Sequence, residues 1–407
     1  MKKDVIIVGG GASGFFTAIN VAENFPDKSI AILERGKTGL QKVKISGGGR
    51  CNVTHAEFIP SELVTNYPRG EKELLGPFHT FMTGDTIAWF EDRGVELKIE
   101  DDGRMFPVTD SSQTIINCFL HEAKKLNIEV MYNHSLKTIV QNDGKGSQES
   151  NFILKTNQGD IQCKKLVIAT GSNPKIWNLL SDLGHTIVKP VPSLFTFDIK
   201  DERLKDIPGV VVKDAEVSVI GSDLITEGPV LVTHAGLSAP AILKLSAIGA
   251  FYFEECDYNF KIRINFIKQT YEDALTSLKN LKLELAKKNI SKFPQFDIPR
   301  RLWVKLCSYS KIEDATKWAD LNRAQLDALV EQLTNAEFHV TGKSTFKEEF
   351  VTAGGVDLKE LNFKTYESRR IPNLFLAGEV LNIDAVTGGF NFQNAWTGGY
   401  IVAQNIF

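Results

Sequence analysis

The chain of 407 residues lacks long apolar runs, paired cysteines and a large net charge. No apolar run reaches the roughly 18–20 residues needed to cross a bilayer. The first apolar stretch meets glycines too soon for a signal peptide. The five cysteines are scattered without a C-x-x-C pair, which argues against a disulfide framework, a zinc site and a dithiol redox pair. We therefore predict a cytoplasmic protein with no membrane segment and no metal site.

What the chain does have is a glycine turn between an apolar strand and an apolar helix near residue 10. In a G-x-G-x-x-G turn the diphosphate of a dinucleotide rests against unpaired N–H groups at the helix N-terminus. The pattern predicts diphosphate binding by Gly9, Gly11, Ala12, Ser13 and Gly14. In such folds an acidic residue at the tip of the second strand binds the ribose hydroxyls. This position is occupied by Glu34, which is followed by Arg35.

Three later segments extend the predicted ligand site. The second glycine cluster offers bare backbone N–H groups and one cation for an anion through Gly48, Gly49, Arg50 and Cys51. A buried strand ends in Thr170 and Gly171. A second glycine-rich stretch near the C-terminus supplies Gly378, Glu379, Asp384, Gly389, Asn391, Phe392, Gln393 and Ala395. An acidic residue there can bind a ribityl hydroxyl, and a helix N-terminus near Ala395 can stabilise negative charge on a reduced flavin.

These motifs occur together with three further segments, Gly103–Pro107, Thr233–Ala241 and Thr352–Val356. As a set they resemble FAD-binding proteins of the two-dinucleotide-binding-domain superfamily. Within it they resemble the aminoacetone-oxidase-like and bile-acid-reductase-like flavoproteins. In the wider superfamily a Ser or Thr follows the arginine of the second glycine motif by three places. Here Thr54 follows Arg50 by four places, so a role for Thr54 is not carried over.

The resemblance implies FAD and an α/β fold. Its Rossmann-like FAD-binding domain, of the glutathione-reductase type, would be interrupted by a β-barrel-like insert and a small helical insert. Local composition along the chain indicates the same order of α/β, β-rich and helical segments. We expect the FAD-binding domain at 1–192 and 346–407, the β-rich insert at 193–267 and 334–345, and the helical insert at 268–333.

The resemblance also implies chemistry, because family members are linked to amine oxidation, to reduction of enone double bonds in steroids and to reduction of a uridine in ribosomal RNA. The sequence contains no second strand–G-x-G-x-x-G–helix unit, so NADH or NADPH would visit the flavin only transiently. We expect an FAD-dependent oxidoreductase that uses NAD(P)H to reduce an activated C=C bond in a small molecule. The alternatives are a ribosomal RNA uridine reductase, an amine oxidase and a non-catalytic FAD-binding protein.

Two side chains are candidates for catalysis. His234 could donate a proton or could be a structural hydrogen-bonding histidine. Cys51 could tune or react with the flavin or could be a small buried side chain.

The charge distribution along the chain is uneven and marks a candidate contact for RNA. Residues 261–311 hold twelve Lys/Arg and four Asp/Glu, a net charge of +8, which leaves −11 for the remainder of a chain of charge −3. This segment is either a footprint for RNA phosphates or a solvated helical face.

Overall fold

The computed structural model describes residues 1–142, 151–344 and 351–407. The chain divides into two compact units, the first made of residues 1–191 and 351–407 and the second of residues 192–350. The Asp143-Gly144 pair is a hairpin-turn signal in the sequence, and it lies outside the described residues, as does the predicted domain boundary at 345–346. Within those described residues, no helix combines the length and the apolarity that a bilayer span requires.

The elements up to residue 193 alternate between strands and helices. The strands are β1 (Lys2–Val8), β2 (Ile30–Leu33), β3 (Thr54–His55), β4 (Leu97–Ile99), β5 (Arg104–Pro107), β6 (Glu129–Met131), β7 (Leu136–Gln141), β8 (Phe152–Thr156), β9 (Gly159–Ile168) and β10 (Ile187–Ser193). The helices are α1 (Ala12–Asn24), α2 (Gln41–Gly49), α3 (Pro60–Leu63), α4 (Glu71–Thr80), α5 (Thr83–Glu91), α6 (Ser112–Lys125) and α7 (Pro174–Asp182).

The middle of the chain is a β-rich segment interrupted by helices, and the C-terminal part returns to the first unit. The middle strands are β11 (Thr196–Asp198), β12 (Val211–Val219), β13 (Ile225–Val232), β14 (Gly236–Ser238), β15 (Phe260–Asn265), β16 (Ala336–Val340) and β17 (Gly342–Ser344). The middle helices are α8 (Pro240–Ile248), α9 (Ala250–Glu255), α10 (Tyr271–Glu284), α11 (Arg300–Tyr309) and α12 (Arg323–Thr334). The C-terminal elements are β18 (Val351–Val356), β19 (Leu361–Asn362), β20 (Glu367–Ser368), β21 (Leu374–Leu376) and α13 (Phe390–Asn405).

The first unit is built on a parallel sheet in the order β21-β9-β1-β2-β6. The segment Val5–Val8 of β1 is wholly buried, as expected for a parallel strand covered on both faces. Helices α1 and α13 pack against each other, and Gly399 allows a close approach, because a Cβ there would lie 2.8 Å from Thr17 Oγ1. The predicted α/β Rossmann-type domain is confirmed, and the C-terminal strand β21 completes it.

The second unit is built on an antiparallel sheet in the order β16-β15-β12-β13-β14-β11-β17. Its two edge strands, β16 and β17, are consecutive in the chain with Thr341 between them, so one stretch of chain pairs with both β15 and β11. This closure is barrel-like. Buried side chains of α10–α12 and of the connection between α11 and α12, among them Trp303 and Trp318, belong to the same apolar cluster as strand residues such as Val217 and Ile262. The helices and the sheet therefore share one core.

A buried polar cluster in the first unit joins His185, Glu360 and Ser368. His185 Nδ1 lies 2.8 Å from Glu360 Oε2, and its Nε2 lies 3.1 Å from Ser368 Oγ. Ser368 Oγ also accepts the backbone N–H groups of Arg370 and Ile371, each at 3.1 Å. The serine therefore closes a turn, although the order of the three side chains resembles that of a hydrolase triad.

We expect Glu360→Gln to lower the free energy of unfolding by about 1.5–3 kcal/mol at pH 7, because it removes a charged acceptor from buried hydrogen bonds. Burial raises the pKa of the Glu360 carboxyl, but donors on Arg370, Thr186 and His185 outweigh it and hold this pKa at about 2, below the ordinary 4.5. The carboxylate's contribution is therefore complete above pH 4.5 and is lost as the pH falls towards 2. Urea titrations of both proteins should show a difference that shrinks across this window. A difference that is independent of pH would contradict the assignment.

Candidate functional site

The first glycine turn is closed on one side and open on the other. A Cβ on Gly14 would lie 1.9 Å from the carbonyl oxygen of Gly9, and a Cβ on Gly9 would lie 2.4 Å from that of Ala169. Gly9 also has a φ of +114°, which favours glycine. By contrast, a Cβ on Gly11 would lie more than 4 Å from every heavy atom of the described chain beyond its neighbours in sequence. The backbone is thus packed tightly beneath the turn and leaves space at Gly11, where a diphosphate is predicted.

Glu34 lies directly over this turn. Its Oε2 accepts the N–H of Gly10 at 2.9 Å, and its Oε1 accepts the N–H of Gly36 at 2.6 Å. The turn is also tied to the start of α2, because the Leu40 N–H donates to Gly10 O at 2.7 Å. Arg35 is exposed beside Glu34. The carboxylate is therefore next to the helix N-terminus of α1, as the ribose-binding prediction requires.

Three segments far apart in sequence meet at this turn. A Cβ on Gly378 would lie 3.2 Å from Ser13 Cβ, and a Cβ on Gly171, next to Thr170, would lie 3.4 Å from Glu379 Oε2. Glu379 pairs with Lys42 of α2 at 2.5 Å. The structure thus brings together the first turn, the end of β9 and the segment after β21. Lys42 was not a predicted site residue, because nothing local in the sequence links it to a carboxylate 337 positions away.

The second glycine cluster forms a left-handed turn at the end of α2. Helical geometry breaks at Ser46, and Gly47, Gly48 and Gly49 have φ values of +58°, +69° and +86°. A Cβ on Gly48 or Gly49 would have no other described heavy atom within 4 Å. The backbone is therefore bare here, as predicted for an anion-binding loop.

The two residues after this cluster differ in exposure. The Arg50 guanidinium lies 3.9 Å from the centre of the Phe106 ring and pairs with Glu100 at 2.5 Å. Cys51 is fully buried, and burial raises the pKa of its thiol to about 12. A thiol with a pKa this far above neutral stays protonated near pH 7, which agrees with the alternative of a small buried side chain, and a role of Cys51 at the flavin remains a prediction.

Helix α13 begins at Phe390 and not near Ala395. Gly388 and Gly389 have φ values of +140° and +96°, and they turn the chain directly into the helix. The N–H groups at its N-terminus are therefore those of its first turn. Ala395 lies in the second turn and is buried, so its predicted place at the helix N-terminus is wrong.

Two amide side chains predicted to contact the ligand are engaged within the protein. Gln393 Oε1 accepts the hydroxyls of Thr54 and Thr86 at 2.6 and 2.9 Å, and its Nε2 donates to Thr397 at 3.1 Å. Asn391 exchanges two hydrogen bonds with the backbone of Ala385 at 3.1 and 3.3 Å. Both amides hold the polypeptide around α13 in place, and their contact with a ligand remains a prediction.

Two other predicted side chains also have partners near α13. Asp384 is fully buried and is paired with Arg69 through Nε at 2.5 Å and through Nη2. The half-buried Phe392 ring stacks on Trp396 at a centroid distance of 5.5 Å.

His55 is a site residue that sequence reasoning missed. Its Nδ1 lies 3.0 Å from Gly388 O, and its ring stacks on Phe390 with the centroids 4.5 Å apart. The Tyr67 hydroxyl donates to Phe390 O at 2.6 Å. Both side chains therefore fix the start of α13. The histidine directly after Thr54, close to the second glycine cluster, was the available signal.

His234 belongs to the second unit. It is exposed in the turn between β13 and β14. Its role as a proton donor remains a prediction.

The residues of the first unit fit FAD. Ser13 Oγ is buried without a hydrogen-bond partner among the described residues, at the N-terminus of α1. Open space exists at Gly11, Gly48 and Gly49, where any other residue would place a Cβ. Backbone donors at α1 suit a diphosphate, Glu34 and Glu379 suit ribose and ribityl hydroxyls, and the N-terminus of α13 suits an electron-accepting ring.

Comparison with known proteins supports the same fold. A family model described as "HI0933-like protein Rossmann domain" matches residues 3–405. The chain is 27% identical to the ribosomal RNA dihydrouridine synthase of Haemophilus influenzae, covering 98% of each protein. It is 24% identical to the 3-dehydro-bile acid Δ4,6-reductase of Clostridium scindens, covering 98% of this chain and 97% of the relative.

A solved structure resembles the chain over its whole length. It is the 3-ketosteroid Δ1-dehydrogenase of Sterolibacterium denitrificans, at 11% identity and a TM-score of 0.53, covering 100% of this chain and 99% of that one. At this identity the likeness concerns the fold alone.

We expect Gly11→Ala to lower the FAD content of the purified protein at least tenfold while leaving the apoprotein folded. The added methyl group would enter the space left for the diphosphate but would cost the apoprotein under about 1 kcal/mol as a helix-cap change. Flavin absorbance per protein and thermal unfolding measure the two effects. Gly84→Ala in α5, also free of neighbours within 4 Å, is the matched control and should keep the wild-type FAD content, with a thermal stability that is equal or slightly higher because Ala favours a helix. Normal FAD content in Gly11→Ala would refute the diphosphate assignment.

Proposed function

The chain belongs to the HI0933-like Rossmann-domain family and is an FAD-dependent oxidoreductase, and we propose that it reduces a C=C bond conjugated to a carbonyl group. The observation that carries the proposal is the shared chemistry of two full-length relatives. Dihydrouridine arises when the C5=C6 bond of uridine, conjugated to the C4 carbonyl, is saturated. The Δ4,6 double bonds of a 3-dehydro-bile acid are likewise conjugated to the 3-ketone. Amine oxidation has no counterpart among these two relatives.

The proposed reaction balances with a reduced nicotinamide as donor. A hydride equivalent adds to the carbon β to the carbonyl, a proton adds to the α carbon, and NAD(P)H becomes NAD(P)⁺. FAD bound in the site supplies the hydride-transfer chemistry. The chain's own contribution is to hold the diphosphate at Gly11 and to direct the first-turn N–H groups of α13 towards developing negative charge.

Under this proposal, NADH or NADPH reaches the flavin without a dedicated nicotinamide-binding domain. The second unit has an antiparallel sheet, whereas a nicotinamide-binding Rossmann unit needs a parallel one. We therefore propose that NADH or NADPH binds only transiently and that the protein acts in the cytoplasm.

We expect NADH or NADPH to bleach the visible absorbance of the bound flavin under anaerobic conditions, and primary amines to leave it unchanged. The measurement is made on the holoenzyme as purified, with each donor added in parallel. Reoxidation of the flavin by a conjugated enone or by a uridine-containing RNA would then identify the acceptor. Bleaching by amines alone would favour an amine oxidase, and no bleaching by any donor would favour a non-catalytic protein.

Uridine in ribosomal RNA is the acceptor that we favour within this class, and a small enone is the second candidate. The support is the 27% identity over nearly the full length to a protein named for that reaction, together with the basic segment 261–311. The small-enone candidate is supported by the bile-acid reductase at 24% identity.

Deletion of the gene should abolish one or more dihydrouridines in ribosomal RNA of the cell that encodes this chain. Mass spectrometry of nucleosides from purified ribosomal RNA makes the measurement. The wild-type gene and the Gly84→Ala variant should restore the modification, whereas Gly11→Ala should not, because it lacks FAD. An unchanged dihydrouridine content after deletion would overturn the RNA assignment and leave the small enone.

A further inference from the structure

The second unit has a surface with many basic side chains and few acidic ones. Residues 285–312 include seven Lys/Arg and one acidic residue, Asp297, a net charge of +6. We call the set of six basic residues within it the basic surface: Lys287, Lys288, Lys292, Arg300, Arg301 and Lys305. All are exposed except Lys305, which is half-buried.

The two stretches that carry the basic surface are fixed against each other. The Trp303 indole N–H of α11 donates to Ile290 O at 2.8 Å, and both residues are fully buried. Leu302, Trp303 and Leu306 face the core, so Arg301 and Lys305, four residues apart, lie together on the outer face of α11. The basic side chains therefore stand on a rigid base and need little ordering when they bind.

These cations are available for an external partner. None of the six forms an ion pair with a carboxylate among the described residues, whereas Lys205, Arg263 and Lys268 of the same unit pair with Glu202, Glu337 and Glu227. A surface that only kept the protein dissolved would tolerate interspersed acidic residues. The concentration of unpaired cations indicates a polyanion as the partner.

An exposed aromatic ring lies within the basic surface. The Phe293 side chain is 39% exposed, and Lys288 Nζ lies 5.2 Å from the centre of its ring. Exposed aromatic rings among phosphate-binding cations are a recurrent platform for unpaired bases. An acidic peptide would gain nothing comparable from the ring, so this feature favours a nucleic acid over an acidic protein.

We infer that the basic surface binds the phosphates of an RNA and that Phe293 stacks on one of its unpaired bases. The inference rests on the proposed function, since it names the contact by which an RNA substrate is held. Phosphate contacts supply affinity that falls steeply with salt, and a stacked base selects single-stranded segments over duplex.

The test compares two quadruple variants of the FAD-loaded protein. The first is Lys287→Gln, Lys292→Gln, Arg300→Gln and Arg301→Gln. The matched control removes the same charge from exposed basic side chains of the second unit outside residues 261–311: Lys200→Gln, Lys205→Gln, Lys213→Gln and Arg323→Gln. Binding of purified ribosomal RNA, of oligouridine and of polyglutamate is measured by fluorescence anisotropy between low and high salt. FAD content and thermal unfolding verify that every variant is folded.

We expect the first quadruple variant to bind RNA at least tenfold more weakly, with a slope of log K against log salt that is smaller by about 3, since each lost contact to a single strand contributes about 0.7. The control variant should keep wild-type affinity. Phe293→Ala should weaken oligouridine binding about fivefold or more with an unchanged salt slope. Wild-type RNA affinity in the first variant, equal loss in the control, or equal binding of polyglutamate would each overturn the inference.

Failure of this inference and failure of the proposed function give different results. If deletion of the gene removes dihydrouridine and the first quadruple variant restores it fully, the function stands and the surface assignment fails. If deletion leaves dihydrouridine unchanged while the wild-type protein binds RNA through this surface, the surface stands and the proposed substrate fails. Absence of RNA binding by the wild-type protein overturns the surface assignment.

Discussion

The site of the first unit depends on how closely polypeptide backbones approach each other around one turn. The carbonyl of Gly9 lies where a side chain on Gly14 would be, and the carbonyl of Ala169 lies where a side chain on Gly9 would be. These contacts set the start of α1 directly on the ends of β1 and β9. The C-terminal part of the site is positioned from this point, since α13 packs along α1 and the segment at Gly378 packs against Ser13.

The parts of the site that the sequence predicts well are local. The residues of the first turn and Glu34 lie within one strand–helix–strand unit, where the spacing in sequence determines which residues lie close together. The features that the sequence does not reveal are long-range partners. Gln393 and Asn391 have the chemistry of ligand-binding amides, yet Gln393 is held by Thr54 and Thr86, which are 339 and 307 positions away. No pattern of spacing could reveal those pairs. The role of His55 also depends on a distant partner, Gly388, although its place next to the second glycine cluster gave a local signal.

The second unit illustrates a different limit of prediction from sequence, which concerns how segments pack together. Composition separates a β-rich stretch from a helical stretch, but it cannot show that both fill one core. Trp303 and Trp318 are buried with the strands because the sheet needs a cover, and α10–α12 provide apolar side chains for it. The outward faces of those helices are then free to carry charge without cost to the core. In our proposal, redox chemistry belongs to the first unit and recognition of a polyanion to the second.

The interrupted order of the first unit has a consequence for how the protein is made. Strand β21 enters the parallel sheet beside β9, and the segment 378–393 follows it, so both the sheet and the cofactor site end with the last tenth of the chain. A ribosome delivers residues from the N-terminus onwards. A nascent chain therefore carries the glycine turn of Gly9–Gly14 long before it has α13, the helix that packs against α1. A polypeptide that lacks β21 and α13 would consequently lack part of the parallel sheet and part of the candidate FAD site.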